Sequence, residues 1–369
     1  LAIRNSKDKI RYAVVGAGNI AQMAVLPAFA HARENSELAA ILSDDPLKRS
    51  VLGREYEVET GSYAELETVA QRASVKALYI ALPNDLHREY TERGARAGLH
   101  VLCEKPMAMK SHDCQAMIDA CDATGVRLMI AYRLHFEEAN LRAVDIVQSG
   151  RIGTPRFLMA CFSQQVRTGN IRTQPQRGGG ALFDLGIYCI NAARFLFRAE
   201  PVEVFAYRAS GGDDRFRGVD EMTSGLLRFP GDRIAEFSAS QGAADIDALR
   251  IVGTEGELRL EPAFGMGELR HILSVGGKTK ETVFRKRDQF APELVHFSQS
   301  ILDGTCPEPS GREGLADVRV MEALEASALS GTPVVLEPFE PGRRPSLANE
   351  MRRPPIRPPR PVHAPPPSR

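Results

Sequence analysis

No run of apolar residues in this chain is long enough to cross a bilayer, and its start shows neither the basic nor the apolar region of a secretory leader. It begins at Leu1 rather than Met, which leaves room for a leader already removed. Cysteine is sparse. Cys103, Cys114, Cys121, Cys161, Cys189 and Cys306 show no C-x-x-C spacing and no short repeats, which argues against a disulfide framework. Free thiols in a reducing, cytoplasmic setting are expected. The eight histidines are scattered without H-x-x-x-H or His/Cys clustering, so no metal site is predicted. Net charge is absent too: 47 basic residues balance 47 acidic ones. The balance is uneven, because Arg343, Arg344, Arg352, Arg353, Arg357, Arg360 and Arg369 face Glu350 alone after Gly342. The body is correspondingly acidic, which argues against nucleic-acid binding and leaves the tail as a contact for acidic surfaces.

What is present suits two globular domains: 369 residues, 43% hydrophobic and 25% charged. Ile10 to Val15 reads as a β-strand that runs into Gly16-Ala17-Gly18-Asn19-Ile20-Ala21. This is the G-x-G-x-x-G/A pattern of a dinucleotide site. The first glycine allows a tight turn, the second lets backbone approach a pyrophosphate, and Ala21 permits close helix–strand packing. The helix after it, about 20–32, would aim its positive end at the phosphates.

A second strand, 38–42, should lead to the adenosine ribose. There Ser43 and Lys48 suit a 2′-phosphate, whereas Asp44 suits a free 2′-hydroxyl; the pattern leans to NADP and leaves NAD open. A short run at 58–60 and a helix near 63–70 precede the apolar strand 77–82. Leu82-Pro83-Asn84 closes that strand at the expected cofactor edge, and His87 is either a ligand contact or a packing histidine.

The strand 100–103 ends on Glu104-Lys105-Pro106. Proline disfavours helix at Lys105 and holds the lysine on an extended turn at the carboxyl end of the sheet, where such sheets bind ligands. A helix, 112–124, and a strand, 128–132, complete a parallel sheet covered on both faces. At Tyr132-Arg133-Leu134-His135-Phe136 the character changes, and a domain boundary is placed at 133/134. Arg133 and His135 are candidate pocket residues.

Beyond the helix 138–149, strands are expected at 156–166, 202–209, 221–229, 233–240, 248–252 and 257–260, forming a mainly antiparallel sheet. A helix interrupts them: Gly178-Gly179-Gly180 leads into a run carrying Asp184 and Tyr188, four residues apart and so on one face. Helices near 292–302 and 312–329 close the domain at about 340. Glu293 and His296 read as structural, and 341–369, rich in proline and arginine, is expected to be disordered or loosely attached.

These motifs together resemble the glucose-fructose oxidoreductase / inositol dehydrogenase / rhizopine catabolism family over roughly 9–336. The resemblance implies an α/β fold: an N-terminal Rossmann doubly wound parallel sheet and a C-terminal α+β domain with a large, mainly antiparallel sheet. Tyrosine at 188, Arg133 and the Ser43–Lys48 spacing are similar to the branch of glucose-fructose oxidoreductase, xylose dehydrogenase and dihydrodiol dehydrogenase. It further implies a dimer or tetramer through the antiparallel sheet.

The expected activity is hydride transfer between NAD(P) and a hydroxyl-bearing carbon of a sugar or polyol. A tyrosine ordinarily ionises near pH ~10, so Tyr188 as general base needs a cation beside it, and Lys105 would supply one. Asp184 would bind the sugar hydroxyl or orient Lys105. The cofactor set is Gly16, Gly18, Asn19, Ile20, Ser43, Asp44, Lys48, Leu82, Pro83, Asn84, His87, Glu104, Lys105 and Arg133. The substrate set is Lys105, Arg133, His135, Asp184 and Tyr188. A non-catalytic ligand sensor and a redox-assisted NAD-dependent glycosidase are the rival expectations.

Overall fold

The computed structural model describes residues 9–357 and 359–368; the chain start and Arg369 of the tail lie outside it. Six strands pair in parallel: β1 (Ile10–Val15), β2 (Ser36–Leu42), β3 (Glu59–Gly61), β4 (Ala77–Ile80), β5 (His100–Glu104) and β6 (Leu128–Ala131). Their order is β3-β2-β1-β4-β5-β6. Direction of winding therefore reverses between β1 and β4, opening a crevice at the carboxyl ends of those two strands. The apolar runs need cover on both faces. It comes from α1 (Leu26–Ala28), α2 (Pro46–Tyr56), α3 (Leu66–Arg72), α4 (His87–Arg96) and α5 (Ser111–Thr124). α6 (Glu138–Gln148) leads away from this sheet.

The second sheet has nine strands: β7 (Pro155–Ser163), β8 (Glu203–Ala209), β9 (Met222–Phe229), β10 (Arg233–Ser240), β11 (Ile246–Gly253), β12 (Gly256–Leu260), β13 (Leu269–Val275), β14 (Lys278–Phe284) and β15 (Val334–Val335). All its pairings are antiparallel except β7 with β10. Its inner face, with Leu158, Ala206, Leu227, Phe237 and Ile251, is buried beneath α7 (Ile187–Phe197) and α9 (Gly311–Ser330). α8 (Ala291–Asp303) packs back on the first sheet. α9 touches both sheets: Gly314 lies so close to Met107, just past β5, that a β-carbon there would sit 2.8 Å from it. Contrary to the reading of the sequence, one helical stretch among the described residues, Pro175–Phe197, is long and apolar enough to cross a membrane, and 89% of its most apolar part is buried inside the fold.

Two features depart from expectation. The β13–β14 hairpin was not foreseen, because β14 is almost wholly exposed and carries no apolar alternation. Gly276 and Gly277, both at positive φ, turn the chain between its strands. The tail is also not loose. Met351 and Ile356 pack on the first domain's core, Arg352 pairs with Glu138 at 2.8 Å, and Ala364 is buried. Composition predicted disorder because apolar residues are few; the few present are spaced to meet the surface, and hydrogen bonds supply the rest.

Candidate functional site

The groove at the β1/β4 reversal is built for close approach. Gly16 adopts φ +104°, and a β-carbon there would lie 2.5 Å from the Ala81 carbonyl oxygen, so only glycine fits this turn. At Gly18, by contrast, a β-carbon would meet nothing within 4 Å. The bare backbone there faces open space and leads into helical turns from Asn19. Bare backbone at a helix start, with room in front of it, fits the pyrophosphate of a dinucleotide.

At the end of β2, Ser43 is buried and its carbonyl accepts from Arg49 Nη1 at 2.6 Å. The carboxylate of Asp44 is turned to the Tyr63 amide at 2.9 Å. Asp45 caps α2, accepting from the amides of Leu47 and Lys48. Across the groove Leu82 is buried and Pro83 half-buried, and Asn84 donates to the Gly178 carbonyl at 2.9 Å. That bond ties the first sheet's edge to the glycine triplet of the second domain.

The triplet is a point of triple contact. Added β-carbons would lie 2.9 Å from Asn84 at Gly178, 2.5 Å from the Arg172 carbonyl oxygen at Gly179 and 2.4 Å from the Asp220 carboxylate at Gly180. Behind it the helix opens as a π-turn, Leu182–Gly186, before α7. Such turns recur where a helix must re-aim side chains. Here Asp184 and Tyr188 converge on Lys105. The ammonium lies 3.1 Å from the Asp184 carbonyl oxygen, 3.9 Å from its carboxylate Oδ1 and 4.5 Å from the Tyr188 ring centre.

Asp184 Oδ2 accepts three donors: Arg172 Nε at 2.6 Å, Gln241 Nε2 at 3.1 Å and Gln164 Nε2 at 3.2 Å. Burial pushes this carboxyl up, but the Arg172 guanidinium and the Lys105 ammonium outweigh it and hold the group below its ordinary value. Asp184 is therefore a fixed anion. Tyr188 is wedged edge-on against Phe162 at 5.5 Å, and its hydroxyl accepts from Arg133 Nη2 at 3.3 Å. Arg133 is buried and also donates to Gln289 and to the Phe264 carbonyl. Lys105, Arg133 and Tyr188 line one small internal cavity.

Sequence reasoning placed some residues here that the structure holds elsewhere. His87 is fully buried, its ring nitrogens 2.9 Å from the carbonyl oxygens of Pro106 and Leu82; it braces two turns and does not reach the groove. His135 is buried in α6's approach, bonded to Asn191 at 2.8 Å and stacked on Tyr132, so it is not a pocket residue. Glu104 receives the Tyr79 hydroxyl at 2.9 Å and the Lys105 amide at 3.3 Å, and steadies the turn from beneath. Arg133 stands behind Tyr188 rather than at the groove's lip. Conversely, Gln164, Arg172 and Gln241 were missed. They come from a loop and two strand ends far apart in sequence, and no spacing pattern marks them.

No group of three or more His, Cys, Asp or Glu side chains suited to a metal occurs among the described residues. A broad trough of about 630 Å³ lies away from Lys105, on the outer face of the nine-stranded sheet.

Comparison with known proteins places the chain in a family. Residues 10–132 match the model described as an oxidoreductase family with an NAD-binding Rossmann fold, and residues 140–259 match the GFO/IDH/MocA C-terminal domain. The D-xylose 1-dehydrogenase [NADP(+)] of Haloarcula marismortui is 34% identical over 88% of this chain and 93% of its own. The D-xylose 1-dehydrogenase (NADP(+)) 2 of Haloferax volcanii is 31% identical over 88% and 99%. Among solved structures, the aldose-aldose oxidoreductase of Caulobacter crescentus, complexed with glycerol, superposes with a TM-score of 0.85. It is 35% identical, over 89% of this chain and 100% of that one.

Proposed function

This chain belongs to the GFO/IDH/MocA oxidoreductase family and is an NAD(P)-dependent sugar oxidoreductase, and from that premise we propose that it oxidises an aldose at its anomeric carbon with NADP. One observation carries the reading: Lys105, Asp184 and Tyr188 converge at the carboxyl edge of the parallel sheet, beside a glycine turn shaped for a dinucleotide.

The dinucleotide would lie along Gly16, Gly18, Asn19 and Ile20, with its ribose near Ser43 and Lys48 and its far end near Leu82, Pro83 and Asn84. NADP is favoured over NAD because the Asp44 carboxylate is turned to a backbone amide while the Arg49 guanidinium is held at the Ser43 carbonyl. When bound, NADP supplies the hydride acceptor. The rest is the work of side chains. The Tyr188 oxygen takes the proton of the sugar hydroxyl. It does so as the phenolate, whose negative charge faces two cations, Lys105 at the ring face and Arg133 at the hydroxyl, and it ends the step as the neutral phenol. Asp184 orients Lys105 and offers Oδ1 to a sugar hydroxyl, while its three donors keep it ionised.

Tyr188→Phe and Lys105→Ala should each lower turnover of an aldose by at least about 10²-fold, the usual weight of a positioned acid–base group. NADPH binding, followed by fluorescence, should stay within about twofold. Near-normal turnover in either variant would remove these residues from the mechanism.

The likeness to an aldose-aldose oxidoreductase favours a second reading, in which a second aldose is reduced at the same site before the dinucleotide leaves. Accumulation of NADPH, seen at 340 nm with one aldose present, separates dehydrogenase from coupled exchange. We place the protein in the cytoplasm on its free cysteines, and read the outer face of the nine-stranded sheet as the contact between copies.

A further inference from the structure

We propose that the C-terminal segment Val362–Ser368 is the outer wall of the dinucleotide site and governs how fast the dinucleotide leaves. The proposal rests on the reading of the Gly16–Ile20 groove as that site.

Three anchor points carry it. At the ribose end, His363 Nδ1 lies 2.9 Å from Asp45 Oδ2, on the residue that caps α2 just past β2. Over the glycine turn, Gln22, itself buried, exchanges two hydrogen bonds with Val362: its Nε2 donates to the carbonyl at 2.9 Å and its Oε1 accepts from the amide at 2.7 Å. One residue pair along, Asn19 Nδ2 donates to the Ala364 carbonyl at 2.9 Å, and Ala364 is only 6% exposed. At the far end the segment reaches the second domain. The Arg167 amide donates to the Pro367 carbonyl at 2.9 Å, its Nε donates to the Ser368 carbonyl at 2.8 Å, and Ser368 forms a β-bridge with Val166.

Val362 to Ala364 thus meet the glycine turn and the residue past β2, and Pro367 and Ser368 meet the second domain beside the catalytic end. Val166 and Arg167 lie just past Gln164, which holds Asp184. His363 turns the chain at φ +45°, and the prolines beside and within the segment (Pro361, Pro365, Pro366, Pro367) limit its freedom on either side of that turn.

It covers the groove without filling it. The segment is held through the side chains of Asn19 and Gln22, and the backbone at Gly18 still faces open space. A ligand can thus occupy the turn beneath the wall, and the wall must lift to release it.

The test compares the intact chain, a chain ending at Arg360, and Val362→Pro, which removes the amide that donates to Gln22. The shortened chain retains Met351 and Ile356, the residues that seat the tail on the core. NADPH release, measured by stopped-flow fluorescence against excess NADP with no sugar present, should quicken about tenfold or more in the shortened chain and in the same direction in Val362→Pro. Unchanged release would make the segment a surface ornament, and tighter NADPH binding would make it a competing plug; either overturns the proposal. The sugar-oxidoreductase reading fails separately, as an intact chain that binds NADPH yet converts no aldose.

Discussion

At Asp184 three donors and one ammonium meet a single half-buried carboxylate, and the consequence is chemical. Burial alone would favour the neutral acid; Arg172 and Lys105 reverse that and keep the charge. Arg172→Met removes the stronger opposing charge. The Asp184 carboxyl should then rise, because desolvation is left with less to oppose it. The acid limb of the pH–rate profile should accordingly move to higher pH, with NADPH affinity unchanged. A profile that superposes on that of the parent would mean that ionised Asp184 is not needed for turnover. The same scale explains which residue assignments fell. A histidine in sequence looks alike whether its nitrogens face a ligand or two backbone carbonyls. His87 turned out to be of the second kind, and His135 faces the side chain of Asn191.

At the level of elements, the site depends on two glycine turns and one irregular helix. The Gly16 turn was legible from sequence, because its glycines lie between a strand and a helix at fixed spacing. So was the Glu104-Lys105-Pro106 turn after β5. The triplet was legible only as a place of close approach, without its partners. Gly180 sits at φ +112°, and a β-carbon there would press on the Asp220 carboxylate, which itself receives the Leu182 amide at 3.2 Å and the Thr223 hydroxyl at 2.5 Å. Gly180→Ala should therefore cost about 1–3 kcal/mol of stability and disturb the turn that aims Asp184. A lowered thermal midpoint together with reduced turnover is the expected pair; an unchanged midpoint would show that the turn relaxes freely. The π-turn at Leu182–Gly186 had no sequence signal, since a single extra residue in a helical turn leaves the apolar pattern nearly intact.

Over the whole molecule, the nine-stranded sheet buries one face and leaves the other bare. Phe157, Tyr207, Leu226, Ile234 and Ile246 are all exposed on its strands, beside a trough of about 630 Å³. An apolar sheet face of this kind is normally covered. Sedimentation at micromolar concentration should find a dimer or a larger closed assembly. Leu226→Glu, which would set a second carboxylate opposite Glu236 on the neighbouring strand, should shift it toward monomer. A parent chain that sediments as a monomer would rule out this face as the contact.

Local order was settled by sequence alone. Periodicity and turn residues marked both sheets' principal strands, the dinucleotide turn, the lysine at the end of β5 and the Asp184–Tyr188 pair, because each is written within a few consecutive residues. What the tertiary structure decided is everything that depends on distance across the chain. It brought Lys105 to a helix nearly eighty residues away, and surrounded Asp184 with Gln164, Arg172 and Gln241. It turned two histidines inward, and laid a tail read as disordered across the groove. The physical reason is common to all of these. Backbone conformation responds to neighbours along the chain, whereas burial, charge pairing and docking depend on which surfaces the completed sheets bring face to face.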